Sequence, residues 1–202
     1  MKEIVNVEDF IKTYPIKSKN STISYFKFLE IKNKKNLSPI KLSQLVDCTL
    51  SQANWWLYYG VEPYPFKSIS YLKKYNLLPL YLDFSERFLL LLKLFSFMFG
   101  DGHLRPENFC INLAGQKCDL LRIQKEIYTI FNIKTKIRKV PSSFGESYDL
   151  VIYKSGIGRL LFSMQAPIGD KLSMDFYLPN WLINAPPKIK KSFLEVLFSH
   201  EL

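Results

Sequence analysis

Apolar positions in the first 83 residues recur at helical spacing between proline and glycine breaks, which predicts a small all-α region. Pro39 favours the first turn of a helix, and Gly60 ends another. Pro63 and Pro65 are expected to stop helix formation before the next apolar repeat. The second helix is expected to bury one face formed by Ile23, Phe26, Leu29 and Ile31. Helices are predicted over residues 7–13, 23–34, 39–46, 50–59 and 69–75.

The remaining residues, 84–202, mix helical spacing with period-two alternation, which predicts a mixed α+β region. A strongly apolar helix is expected to begin near Ser85 and to run to Phe99. Alternation over 108–114 predicts a strand, with Phe109, Ile111 and Leu113 on one face and Asn108, Cys110 and Asn112 on the other. One more strand is expected close to Arg105 or within 171–176. Other helices are predicted over 116–131, 157–164 and 187–201, and other strands over 133–140 and 147–154.

Composition limits the class of protein. Hydrophobic residues make up 48% of the chain, enough for a sizeable core and against general disorder. The longest strongly apolar stretch, 88–100, is too short to span a bilayer and contains Lys93, and the N-terminus lacks the apolar run of a signal peptide. No membrane partner is therefore expected. Cys48, Cys110 and Cys118 show no metal or redox spacing, which fits a reducing cytoplasm.

The charge balance indicates a polyanionic partner, nucleic acid first. The chain has 28 basic and 18 acidic residues, a formal charge of +10. Residues 1–85 hold 12 basic and 7 acidic residues and residues 86–202 hold 16 and 11, so each part carries +5. Because a lysine-rich proteome makes many proteins basic, this interpretation depends on motifs.

Residues 42–57 read LSQLVDCTLSQANWWL and resemble the helix-turn-helix of repressor-like DNA-binding domains. Asp47 falls at the left-handed turn position, which aspartate tolerates, and Thr49 is placed to cap the second helix. The resemblance implies core positions at Leu42, Leu45, Val46, Ala53, Trp56 and Leu57. It implies base contacts in a major groove from Leu50, Ser51 and Asn54.

A helical hairpin that touches no DNA is the alternative for this segment. The second helix has adjacent Trp55 and Trp56, which is unusual for a helix that faces a groove, and it lacks Arg and Lys.

Residues 94–102 read LFSFMFGDG, an apolar helix that ends in Gly-Asp-Gly. This segment resembles the first signature motif of the LAGLIDADG homing endonucleases. In that family two such helices pack side by side, and each projects one carboxylate that holds divalent ions against the scissile phosphates. The resemblance implies that Asp101 is such a carboxylate and that Ser96 replaces an interfacial glycine. A plain helix end and turn is the alternative.

Later segments extend the resemblance over about residues 84–202. The predicted order of helices and strands resembles the family's αββαββα unit, and LLFSMQAPIGDK at 160–171 and LPNWL at 178–182 resemble two further family segments. FLEVLFSHEL at 193–202 resembles the opening of a second signature helix, with Glu201 at its acidic position. The implied fold class is α+β, an αββαββα domain over 84–202 preceded by a helical domain over 1–83.

The resemblance implies Mg²⁺-dependent hydrolysis of duplex DNA. Asp101 and Glu201 would bind the metal, and Lys171 would stabilise charge on the phosphate or position the attacking water. His103 and His200 flank the acids and are expected to make ordinary polar contacts.

The strand over 133–140 carries cations on one face and is expected to contact DNA phosphates. A solvated edge strand, which also favours lysine, is the alternative. The predicted DNA-contacting residues of this domain are Lys134, Lys136, Arg138, Asn108 and Asn112.

The chain departs from the family because the second αββαββα unit is missing after Glu201. A truncated or decaying gene, a fragment, and a homodimer paired through the Leu91–Phe99 helix are open interpretations. The terminal helix could instead pack on that helix within one chain. No splicing Cys or Ser starts the chain, so a freestanding protein is expected rather than an intein. The rival function is a DNA-binding regulator that keeps the fold without cleavage.

Overall fold

A computed structural model describes residues 2–33, 37–141, 146–173 and 175–199. Within these ranges the chain is a mixed α+β protein with helices and two small antiparallel sheets, which confirms the predicted class. It folds into two compact units, one of residues 7–71 and one of residues 1–6 together with 72–202.

The division between the units differs from the predicted boundary at 83/84. The first strand, β1 (Glu3–Val5), pairs antiparallel with β2 (Leu80–Tyr81). Backbone hydrogen bonds between these two distant segments hold both ends of residues 1–83 in the larger unit. β1 has three residues and β2 has two, which are too few to show the alternation from which a strand is predicted.

The smaller unit is built from helices, with bounds close to those predicted except at α2, which begins seven residues before the predicted start at Ile23, and at α5. Pro65 lies in the first turn of α5, where a proline loses no helical hydrogen bond, so the expected interruption does not occur. The helices are α1 (Val7–Lys12), α2 (Ile16–Ile31), α3 (Pro39–Val46), α4 (Leu50–Tyr58) and the start of α5 (Tyr64–Lys74).

The buried face of α2 agrees only in part with the one predicted, since Phe26, Leu29 and Ile31 are partly buried but Ile23 is not. Ile23 is 40% exposed, whereas Tyr25 and Phe28 are buried in the core of the unit. The polar residues Thr22 and Ser24 are also buried, because their hydroxyls donate to the carbonyls of Ser18 and Asp47. Internal hydrogen bonding therefore lets polar side chains occupy the core face, a pattern that hydrophobic periodicity misses.

The larger unit arranges its elements around a four-stranded antiparallel sheet with strand order β3-β4-β6-β5. A short 3-10 turn over Lys171–Ser173 occurs where a strand was one alternative, and the additional strand is β3 instead. The elements are α6 (Glu86–Phe97), β3 (Gly102–Leu104), β4 (Ile111–Gly115), α7 (Lys117–Phe131), β5 (Lys136–Val140), β6 (Ser147–Ile152), α8 (Ser155–Ser163), α9 (Asn180–Ile183) and α10 (Pro187–Ser199).

One face of this sheet is part of the core. Leu113 of β4 pairs with Leu150 of β6, and both are fully buried. Gly115, on the same face, lies under Leu120 of α7, which shows that α7 covers this side. Because side chains alternate along a strand, the neighbouring residues of each strand lie on the opposite face.

Candidate active site and nucleic-acid surfaces

Asp101 lies in the exposed turn between the end of α6 and the start of β3. The helix tightens before this turn, since the amide of Gly100 donates to the carbonyl of Phe97 three residues earlier. Gly102 follows, and a Cβ at that position would collide with the Met98 side chain and the Phe97 carbonyl. The turn is therefore packed tightly against the helix end, and only glycine fits at residue 102.

The Lys171 side chain contacts this turn at the residues on either side of Asp101. Its ammonium donates to the carbonyl of Gly100 and, at 2.8 Å, to the carbonyl of Gly102. The amide of Gly169 donates to the carbonyl of Leu104 at 2.9 Å, which attaches the same loop to β3. Lys171 thus comes next to Asp101, and its partners in these two bonds are backbone carbonyls.

Helix α10 packs on α6 within the chain. The hydroxyl of Ser96 donates to the carbonyl of Phe193 at 2.7 Å, and both residues are buried. The Phe193 ring lies against Phe95 and Phe99, with centroid distances of 6.1 and 5.6 Å. The intrachain alternative for the terminal helix is therefore the arrangement observed, and a homodimer through the Leu91–Phe99 helix stays a prediction.

The second predicted carboxylate lies outside the described residues. Glu201 and its neighbour His200 both follow the end of α10 at Ser199, beyond the last described position. Their predicted roles stay predictions.

No cluster of three or more His, Cys, Asp or Glu side chains suited to a metal ion occurs in the described part of the chain. The donor at the turn is the Asp101 carboxylate, because the neighbouring carbonyls of Gly100 and Gly102 already accept from the Lys171 ammonium. A carboxylate is a hard oxygen donor, and Mg²⁺ is commonly held by one or two carboxylates together with water and substrate phosphate oxygens. The donor set fits that mode of binding and does not fit a site made of protein ligands alone.

The outer face of the sheet brings predicted DNA-contacting residues into one row. Strand pairing places His103 opposite Asn112, Asn112 opposite Val151, and Val151 opposite Lys136. Residues that pair directly share a face of the sheet. Lys136 is exposed and His103 and Asn112 are half-buried, so the row is open to solvent at both ends.

A second row on the same face contains Ala114, Asp149 and Arg138. The Arg138 guanidinium donates to the hydroxyl of Tyr153 and lies 5.7 Å from the centre of its ring. Lys134, the third predicted cation, is exposed but precedes β5. Sequence reasoning missed Tyr153, although its alternation with Val151 along the strand was a usable signal.

The two predicted asparagines differ in position. Asn108 is not in a strand, because Phe109 has a φ of 56° and β4 begins only at Ile111. The Asn108 side chain instead accepts from the amide of Cys110, so its placement on the strand face was wrong. The side-chain oxygen of Asn112 is buried and has no hydrogen-bond partner among the described residues. A buried acceptor without a partner is costly, so a ligand that donates there would be favoured.

Lys139 of β5 and Glu146, which precedes β6, form a charged pair beside these rows. A hydrogen bond from Lys139 and a weaker one from Tyr148 lower the pKa of Glu146, and the same contact with Glu146 raises the pKa of Tyr148. Lys139 is therefore partly neutralised, which leaves Lys136 and Arg138 as the cations of β5 without a carboxylate partner in the described salt bridges.

Helices α3 and α4 form a helix-turn-helix in the smaller unit. Asp47 adopts the predicted left-handed conformation, with φ 54°, and its carbonyl accepts from Ser24 of α2 at 2.9 Å. Thr49 caps α4 through a reciprocal pair of hydrogen bonds with Gln52. These local features confirm the predicted turn and cap.

The predicted core of this motif is confirmed in part. Leu42, Val46, Ala53 and Trp56 are buried and Leu57 is partly buried. Leu45 is 55% exposed, so its core assignment was wrong. It points about 100° away from its neighbour Val46 on the helix, which puts it outside the buried stripe.

The exposed surface of α4 contains the predicted base-contacting residues. Leu50 and Ser51 are exposed, and Asn54 is half-buried with its amide donating to the carbonyl of Leu50 at 2.9 Å. That bond uses one donor of Asn54 and leaves its side-chain oxygen available as an acceptor. Trp55, which the sequence singles out, is 53% exposed. Sequence reasoning missed Tyr58 and Tyr59, exposed aromatic residues at the C-terminal end of the helix.

Comparison with known proteins finds only distant relatives. The chain is 28% identical over 159 residues to the DNA-directed RNA polymerase subunit Rpo1N of Methanocaldococcus jannaschii, covering 69% of this chain and 11% of that protein. It is 26% identical over 143 residues to the tRNA-splicing ligase RtcB of Pyrococcus furiosus, covering 64% of this chain and 15% of the relative. The match to RtcB of M. jannaschii is 25% identical over 149 residues, with the same two coverages, 64% and 15%.

The matches thus span only 11% to 15% of the length of these relatives. No family model matches the chain. No solved structure matches it. None of the helices in the described residues combines the length and apolar character needed to cross a bilayer.

Proposed function

We propose that this protein is a site-specific DNA-binding protein of the LAGLIDADG homing endonuclease family that hydrolyses duplex DNA with Mg²⁺. The observation that carries the proposal is the order α6-β3-β4-α7-β5-β6-α8, with Asp101 at the end of its first helix. This order matches the αββαββα unit that the motif at 94–102 implies. Packing of α10 on α6 around Ser96 adds support, because the family pairs two such helices.

The distant relatives support the proposal in a different way. The same chain matches parts of an RNA polymerase subunit and of an RNA ligase, proteins with different names and activities. In each case the match covers a small share of the relative. An endonuclease inserted into unrelated host proteins would produce this pattern, whereas shared polymerase or ligase activity would not.

Two surfaces are proposed to bind DNA. On the sheet, Lys136 and Arg138 would contact phosphates, and the half-buried Asn112 lies in the same row as Lys136. On α4, Ser51 and Asn54 would contact base edges. The net charge of +10 supports a polyanionic partner for both.

The chemistry is proposed to occur at the turn after α6. Asp101 would hold the metal from the protein side, together with Glu201, as the family resemblance implies. A bound Mg²⁺ supplies charge stabilisation for the phosphate and activation of a water molecule. Lys171 fixes the backbone of the turn through its bonds to Gly100 and Gly102.

A DNA-binding regulator without cleavage activity is the second candidate. The observation that favours it is the capped helix-turn-helix within a compact unit of its own, residues 7–71. Such a unit supplies sequence-specific binding without any chemistry at Asp101.

Plasmid nicking distinguishes the two candidates. Purified protein is first used to select bound fragments from a genomic library, and the selected DNA is then incubated with protein and Mg²⁺ or with chelator. Cleavage that requires Mg²⁺ and is lost in Asp101→Asn supports the endonuclease. Tight, sequence-specific binding without cleavage supports the regulator, and failure to bind DNA rules out both.

A further inference from the structure

In the loop that carries Lys171, an apolar side chain is exposed and a charged side chain is partly buried. Leu172 is 99% exposed, whereas the neighbouring Lys171 turns inward and is partly buried. Water favours the reverse arrangement, since lysine is the costlier of the two to bury. The inward position of Lys171 therefore depends on specific bonds that its ammonium makes.

The backbone of this loop is fixed before the side chain is considered. Gly169 has a φ of 84° and donates to Leu104, which turns the chain back toward β3. The Asp170 carboxylate accepts from the amide of Leu172 at 3.0 Å, and the Ser173 hydroxyl donates to the Asp170 carbonyl. Lys171 thus starts from a defined position at the first residue of the 3-10 turn.

The Lys171 ammonium binds the turn that follows α6. Its bonds to the carbonyls of Gly100 and Gly102 are charge-assisted and use two of its three hydrogens. Gly100 lies in the turn after α6 and Gly102 is the first residue of β3, so the ammonium joins the turn to the strand that follows it.

Both neighbours of Asp101 are consequently held. The Gly100 amide donates to Phe97 at the end of α6, and its carbonyl accepts from Lys171. Gly102 pairs with Leu113 in the sheet, packs tightly against the helix end, and accepts from Lys171. The intervening Asp101 side chain is exposed. Its position is therefore set by the backbone on either side of it.

We propose that Lys171 is a positioning residue for Asp101, acting through the carbonyls of Gly100 and Gly102, and that it does not bind a DNA phosphate. The proposal rests on the proposed role of Asp101 as a metal-binding carboxylate. It replaces the role at the phosphate that the family resemblance implies for Lys171.

The test compares Lys171 with Lys136, an exposed lysine proposed to bind phosphate. Lys171→Met, Lys171→Gln, Lys171→Arg and Lys136→Met are made in the full chain, and circular dichroism checks that each folds. Mn²⁺ affinity is measured by electron paramagnetic resonance, both without DNA and with the duplex bound. Binding to a mixed-sequence duplex is measured over a range of salt, and amide hydrogen exchange is followed over residues 100–104.

The positioning role predicts that Lys171→Met weakens Mn²⁺ binding about tenfold, as loss of an outer-shell partner does. Exchange over 100–104 should become faster and the salt slope should not change. Lys171→Gln keeps one donor and should fall between Met and Arg, while Lys171→Arg should recover most of the affinity. Lys136→Met should lower the magnitude of the salt slope by about 1 and leave Mn²⁺ binding unchanged.

Three results would overturn the proposal. In the first, Lys171→Met reduces the salt slope as much as Lys136→Met does. In the second, Mn²⁺ binds more tightly to Lys171→Met than to the wild type. In the third, Lys171→Met leaves amide hydrogen exchange over residues 100–104 unchanged. If the wild type binds neither Mn²⁺ nor DNA, the proposed function fails. Hydrogen exchange then still tests whether Lys171 stabilises the turn. Faster exchange over residues 100–104 in Lys171→Met, and not in Lys136→Met, supports that role, and no difference refutes it.

Discussion

The hydroxyl of Ser96 donates a 2.7 Å hydrogen bond to the carbonyl of Phe193, at the point where α6 and α10 meet. Ser96 is fully buried, and the Phe193 ring packs beside it against Phe95 and Phe99. Because the short Ser96 side chain reaches the backbone of the opposite helix, the two helices are close together at this point and a larger side chain would not fit. This contact joins the two segments that carry the proposed active-site acids.

Two substitutions of Ser96 should destabilise the larger unit, and the bulkier one should do so more strongly. Ser96→Ala loses one buried hydrogen bond and should lower the free energy of unfolding by about 1 kcal/mol. Ser96→Leu forces extra volume between the helices and should cost a further ~1–3 kcal/mol. Urea unfolding followed by circular dichroism measures both.

The matched control for Ser96 is Ser163→Ala. The Ser163 hydroxyl donates within its own helix to the carbonyl of Arg159 and is half-buried. Its loss should change the unfolding free energy by less than Ser96→Ala. Equal effects of the two changes would contradict a close α6–α10 contact.

Asp101→Asn should abolish Mg²⁺-dependent cleavage and largely preserve DNA binding. The amide is similar in size but cannot supply negative charge to the metal. The helix should still fold, because Asp101 lies in an exposed turn beyond its end. Cleavage and binding are measured on the same selected fragment.

Asp119→Asn is the control for Asp101, since Asp119 is another solvent-accessible carboxylate, in the first turn of α7. It should cleave at the wild-type rate. Full activity of Asp101→Asn would mean that the motif at 94–102 was wrongly interpreted.

DNA affinity should fall steeply with salt. If about 5 phosphates are neutralised, the log–log slope should be near −4 to −5. Lys136→Ala should reduce its magnitude by about 1, because one phosphate fewer is neutralised. Lys125→Ala, an exposed lysine on α7 behind the sheet, should leave the slope unchanged. A slope near zero in a fluorescence anisotropy titration would exclude nucleic acid as the partner.

Ser51→Ala and Asn54→Ala should relax sequence preference at one end of the DNA site. Removing a direct hydrogen bond to a base should cost roughly 1–3 kcal/mol on the specific site and little on other DNA. Ser70→Ala, at an exposed position on α5, is the control. Selection of bound sequences from a randomised pool measures the preference. An unchanged preference in both variants would leave the helix-turn-helix with a structural role only.

The three cysteines should differ in reactivity. Burial raises the pKa of the Cys48 and Cys110 thiols, so each has a smaller thiolate fraction near neutral pH, while Cys118 is exposed. Because thiolate is the reactive form, Cys118 should be modified first, and the other two should speed up only as pH rises toward their raised pKa values. Mass spectrometry after pulsed alkylation reads each site, and denatured protein should show three similar rates.

Features that depend on nearby residues were predictable from the sequence. The starts of α3 and α4 follow from Ser38 and Thr49, because each side chain accepts a hydrogen bond from the amide three residues later in the chain. The left-handed turn at Asp47 and the apolar helix α6 are equally local. Their energies are settled within a few positions of the chain, so the pattern of residues is sufficient.

Rotation of a helix about its axis and pairing of distant strands were decided only by the tertiary structure. Ile23 is exposed, whereas Tyr25 packs on Trp56 and the Ser24 hydroxyl donates to a carbonyl 23 residues away. The His103–Asn112–Lys136 row depends on the register between strands, and one residue of slip would reverse every face. Lys171 reaches Gly102 across 69 residues of chain. The sequence by itself determined the local elements, and contacts between distant segments determined which side chains meet at the proposed site, because local preferences carry no information about register or helix rotation.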